Sequence, residues 1–96
     1  MKNYLQFNKK KNKVFVVTQA DETDSKQMEV TNKVFNNKER AVEYYETLMY
    51  HLIEVANRLC MDYEEVEHHK IFIIYCPDNP TLRNSMLQLT EIDIEG

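Results

Sequence analysis

Residues 36–60 read NNKERAVEYYETLMYHLIEVANRLC, and this stretch decides the fold. No Gly or Pro interrupts it from Lys38 onward. Ala41, Tyr45, Leu48, Leu52, Val55, Ala56 and Leu59 recur at three- and four-residue steps, the spacing of one buried helical face. Val42, Met49, Ile53 and Cys60 widen that stripe. Asn36 offers an N-cap with Glu39 three residues later, the arrangement of a capping box. The reading is one long amphipathic helix that needs a surface to pack against.

Strand patterns on either side supply that surface. Upstream, Tyr4, Leu5, Gln6 and Phe7 alternate weakly, and residues 8–12 carry turn residues at both ends around three lysines. Residues 13–19, Lys-Val-Phe-Val-Val-Thr-Gln, are β-branched and aromatic-rich, so a hairpin with a basic tip is expected. Residues 20–27 read as a polar loop. Residues 28–35 read as a third strand, with Met28, Val30 and Val34 on one face. Downstream, Asp62 and Glu65 suggest a second capping box and a short helical turn through Glu67. Residues 70–76 are apolar on both faces, as in a central strand, and Pro77 and Pro80 end them. Leu87 and Leu89 alternate, then Ile92 and Ile94 in the opposite phase, which suggests a bulge near Thr90 or Glu91. The expectation is an α+β single domain over residues 1–96, in βββ-α-ββ order. About five antiparallel strands carry one long helix on one face.

Size and composition bound the function. Ninety-six residues allow one thin core and little room for a deep enclosed cleft. At 43% hydrophobic and 29% charged, the chain is too apolar and too evenly charged for disorder. Its longest apolar run, residues 71–76, falls far short of the ~20 residues that span a bilayer. The opening Met1-Lys2-Asn3-Tyr4-Leu5-Gln6 lacks the apolar stretch of a secretory signal. Two cysteines at no motif spacing fit a reducing compartment, so a cytoplasmic protein with no membrane association is expected. Charge is divided along the chain. Residues 1–40 hold nine basic and five acidic side chains, whereas residues 41–96 hold three and eleven. The field should be dipolar.

Zinc wants four thiolate or imidazole ligands, with pairs close in sequence. Cys60, His68, His69 and Cys76 are the right types, but neither cysteine belongs to a CxxC pair. Adjacent histidines in an extended chain would point to opposite faces. Both cysteines read as small core hydrophobes. Cys60 also ends a helix, where the dipole disfavours a thiolate nucleophile. The sole glycine is Gly96, so no phosphate-cradling loop exists. The expectation is therefore no catalytic residue, no metal and no cofactor.

Acids and tyrosines suggest binding instead. Glu43, Glu46 and Glu54 on the helix, with Glu64, Glu65 and Glu67 after it, could form a negative strip. Glu91, Asp93 and Glu95 alternate on one face of the last strand at roughly 6.5–7 Å per two residues, close to the phosphate repeat of a DNA strand. A plainer reading is that charged edges merely prevent edge-to-edge aggregation. Tyr44 and Tyr50 fall off the helical stripe, where tyrosine serves interfaces well. Lys9, Lys10, Lys11 and Lys13 are the alternative, a direct nucleic-acid contact, set against an overall pI of 5.3. A homodimer through the helix or an edge strand, without any ligand, is the third reading.

This short Lys-, Asn-, Glu- and Tyr-rich composition resembles that of small accessory proteins of phages and mobile elements. In size and acidity it is similar to anti-CRISPR and antirestriction inhibitors. The resemblance implies a non-enzymatic, acidic protein-binding module that inhibits or regulates a nucleic-acid-handling protein, by nucleic-acid mimicry in its sharpest form.

Overall fold

The structure, a computed structural model, describes residues 12–22, 27–76 and 85–94. In chain order these form β1 (Asn12–Glu22), β2 (Met28–Phe35), α1 (Lys38–Arg58), β3 (Asp62–Glu67), β4 (Ile71–Tyr75) and β5 (Ser85–Ile94). The strands make one antiparallel sheet in the order β2-β1-β5-β4-β3, and α1 packs on one face of it. The expected α+β class therefore holds. The strand expected at residues 4–7, and the basic tip with Lys9, Lys10 and Lys11, lie outside the described residues.

Helix α1 starts one residue later than the sequence suggests. Asn37 is the N-cap, its side-chain oxygen accepting from the Arg40 backbone N–H at 3.1 Å, so the Asn36–Glu39 capping box does not form. At the other end, Met61 N–H donates to the Ala56 carbonyl at 2.8 Å and Cys60 N–H to that of Asn57 at 3.4 Å. That pair of bonds is a Schellman cap. It forces Cys60 to φ 58°, the left-handed position usually given to glycine. Cys60 is consequently exposed rather than core-facing, and Leu59 is exposed too. The buried helical face is Ala41, Tyr45, Leu52 and Ala56.

The closed side of the sheet contributes Phe15, Val17, Phe72, Ile74, Leu87 and Leu89 to the core, with Met61 from the helix cap. Three other expectations need correction. β1 runs on to Glu22, because Ala20 pairs with Val30 on one side and Met86 on the other, so the loop begins later. Residues 62–67 are a strand, not a helical turn. Tyr63 and Glu65 turn toward the helix side opposite Ile74 and Phe72, and this pairing outweighs a local capping signal. Among the described residues two strands thus precede the helix and three follow it. Finally, β5 pairs with β1 without a register shift from Ser85 to Ile94. Its change of hydrophobic phase is a real change of face, and the irregularity lies instead in β3, between Glu65 and Glu67. Among the described residues no helix is long and apolar enough to cross a membrane.

Candidate functional site: an acidic edge and a histidine turn

The acids singled out by sequence separate into compensated and open groups. On β5, Glu91 and Asp93 stand on the helix side of the sheet, beyond the buried Leu89. Lys13, directly across on β1, reaches Glu91 at 2.6 Å and Asp93 at 3.9 Å. The Lys13 hydrogen bond, with Lys38 and Lys70 nearby, holds the Glu91 carboxyl below its ordinary pKa. The same bond raises the Lys13 ammonium. Lys13 is thus spent on its own protein's acids and sits within a strand rather than at a hairpin tip.

A second group surrounds the β3–β4 turn. The Tyr45 hydroxyl, rising from the fully buried face of α1, donates to Glu65 Oε2 at 3.1 Å. The His69 backbone N–H donates to the same oxygen at 3.0 Å, and His68 Nδ1 lies 3.3 Å from Oε1. His69 Nε2 meets Glu46 Oε2 at 2.9 Å. The two imidazole rings stack at 3.8 Å, and the His69 ring meets the edge of Tyr45 at 6.2 Å. They occupy a turn closed by Lys70 N–H to the Glu67 carbonyl, so the expectation of opposite faces fails. His69 holds φ 55° there, at the third turn position, where glycine or asparagine is usual. Side-chain and backbone bonds to Glu46 and Glu65 offset that local strain.

The electrostatics of this cluster are those of a clamp. Burial first, then the Glu65 carboxylate, push the Tyr45 hydroxyl far above its ordinary pKa, so it stays a donor. For Glu65, burial works to raise the carboxyl, but the His69, Tyr45 and His68 hydrogen bonds outweigh it and hold the pKa below its ordinary value. Two contacts on Oε2 and one on Oε1 hold the Glu65 carboxylate in place. Sequence reading placed Glu46 and Glu65 on a solvated acidic face and missed that Tyr45, His68 and His69 gather around them. The available signal was the His68-His69 pair set between two strand-length segments, a hairpin-turn spacing.

The open acids remain. Edge strand β3 carries Asp62 and Glu64 on the face away from the helix, opposite Tyr75 and Ile73, with Glu67 opposite Ile71. All three are exposed, and among the described residues only Glu67 has an ion pair, with Lys70 at 3.4 Å. Glu43 and Glu54 are exposed on α1, so the candidate acids do not share one face, and Glu95 lies outside the described residues. Of the tyrosines, Tyr50 is 61% exposed. Tyr44 is instead half-buried, its ring 5.3 Å from that of Phe35 and beneath Lys33 Nζ. Cys60 and Cys76 are free thiols, and no group of three or more potential metal ligands converges among the described residues. No protein-family model, curated protein or solved structure matches this chain.

Proposed function

We propose that this chain is a non-enzymatic, cytoplasmic protein-binding module that inhibits or regulates a nucleic-acid-handling partner, in the manner of phage accessory inhibitors. Its contact would be the acidic edge strand β3. The observation that carries the reading is the row Asp62, Glu64 and Glu67 on the edge strand of the sheet, with Lys70 as its one ion-pair partner among the described residues. A basic groove evolved for phosphate would meet complementary charge there. Glu91 and Asp93, already balanced by Lys13, offer less. The Glu65 carboxylate is engaged by Tyr45, His68 and His69 and serves to hold the turn, which favours binding over catalysis. Direct nucleic-acid contact has weaker support, since Lys13 is engaged by Glu91 and Asp93.

Affinity capture of the tagged protein from lysate of its source organism tests this. A stoichiometric nucleic-acid-handling protein is expected, lost in the Asp62→Lys/Glu64→Lys double variant and retained by Glu91→Lys. The same partner held equally by the double variant, or recovery of nothing but the bait, would overturn the reading.

A further inference from the structure

The open face of the sheet, opposite α1, is built as an interior. In β2 the residues facing away from the helix are Met28, Val30, Asn32 and Val34, while Glu29, Thr31 and Lys33 point to the helix side. In β5 the phase switches: Leu87 and Leu89 lie under the helix, but Ile92 and Ile94 lie on the open face while Glu91 and Asp93 take the closed one. Where α1 no longer covers the sheet, the apolar residues move to the other side. A chain with solvent on both faces there would gain nothing from that switch.

Register assembles these residues into one field. Val34, Val16 and Thr90 form one row across β2, β1 and β5. Asn32, Thr18 and Gln88 form the next, followed by Val30, Ala20, Met86 and then Ile73 on β4. Met28, Val30, Val34, Met86, Ile92 and Ile94 are each between 36% and 61% exposed. A hollow of about 460 Å³ lies among Ala20, Met28, Ile73, Tyr75 and Met86. On the described parts of β2, β1, β5 and β4, the one charged side chain of this face is Glu22, at its margin. The acids Asp62, Glu64 and Glu67 stand beyond it on β3.

From this pattern we infer that the open face is the interface of a homodimer, closed by a second copy packed sheet on sheet. At about 4.8 Å spacing and about 3.3 Å rise, the 8, 11, 10 and 5 residues of β2, β1, β5 and β4 give a flat footprint of roughly 500–600 Å². Side-chain relief carries the accessible area toward the ~800 Å² per partner of a stable interface. A nucleic acid or a strongly charged protein would find no complementary charge on this field, whereas an identical field matches it in size and polarity. A twofold axis parallel to the strands, between β1 and β5, sets β1 over the partner's β5 and β2 over its β4. Each row then meets its own counterpart, so Thr18 and Gln88 face each other in the polar row. Both copies of β3 stay outside the overlap, and the acidic edge remains free.

Light scattering on the eluting full chain reads the state directly, and a mass of twice 11.5 kDa is expected. Ile92→Lys places a charge on an interior strand at a site 43% exposed in the protomer, so the protomer should keep its helical circular dichroism and elute as a monomer. Val34→Lys, at a site 61% exposed, asks the same should Ile92→Lys fail to fold. The wild-type thermal midpoint should rise over a roughly hundredfold increase in protein concentration. A wild-type monomer, a concentration-independent midpoint, or a dimer that persists in a folded variant would each overturn the inference. Neither variant touches β3, so its failure and that of the acidic-edge reading are separable.

Discussion

Leu89 and Ile92 lie three residues apart in β5, yet Leu89 is 8% exposed beneath α1 and Ile92 is 43% exposed on the far face. The two faces of the sheet draw on alternate residues of the same strands, and both carry large apolar side chains, Phe15, Val17, Phe72, Ile74, Leu87 and Leu89 on one and Met28, Val30, Val34, Met86, Ile92 and Ile94 on the other. Side-chain type therefore does not distinguish them; coverage does. One face is filled by a helix whose apolar stripe was written into the same chain. The other has no comparable cover among the described residues.

The largest effect that could break this comparison is a core truncation. Phe72→Ala, removing a ring that is 1% exposed and packed near Tyr63, should cost about 3–5 kcal/mol in urea unfolding. Ile92→Ala, measured at high dilution, should cost on the order of 1 kcal/mol or less. Equal losses would mean that the two faces are equally filled within one protomer.

Next comes the clamp at the β3–β4 turn. Tyr45→Phe keeps the buried ring but removes one donor to Glu65, and about 1 kcal/mol of stability should go with it. Two left-handed residues then sharpen the contrast between a helix cap and a held turn. Cys60→Gly should raise stability by roughly 0.5–1 kcal/mol, because the exposed thiol contributes little and glycine accepts φ 58° without strain. His69→Gly should gain less or lose, since it also deletes the contact with Glu46. Parallel thermal melts decide both.

The smallest effect is in acid. Glu65 has a folded pKa below its ordinary 4.5, so its contribution is complete above that value and is lost as the pH falls through the folded one. Stability should decline below about pH 4.5, and Glu65→Gln should flatten that decline. An unchanged slope in the variant would place the acid sensitivity elsewhere.

Much of this architecture was legible locally. The 3.6-residue stripe of α1 and the β-branched runs of β1 and β4 are strong periodic signals, and each became the element expected. Residues 62–67 misled because Asp62 and Glu65 imitate a helix start. Only the neighbouring Phe72 and Ile74 reward Tyr63 and Glu65 for extending. Lys13 also read as a free tip charge, since its partners are 78 and 80 residues away and no local pattern announces them.

The sequence by itself determined the α+β class, the long helix, the strand periods and the surplus of acid in the later residues, because these follow from spacing and composition within a dozen neighbours. Tertiary structure decided which acids stay open. It also drew Tyr45, Glu46, Glu65, His68 and His69 together, and left one sheet face apolar and uncovered by the helix. Those outcomes depend on register between strands distant in the chain. A shift of one residue would exchange the two faces, and no local window contains the pairing that prevents it.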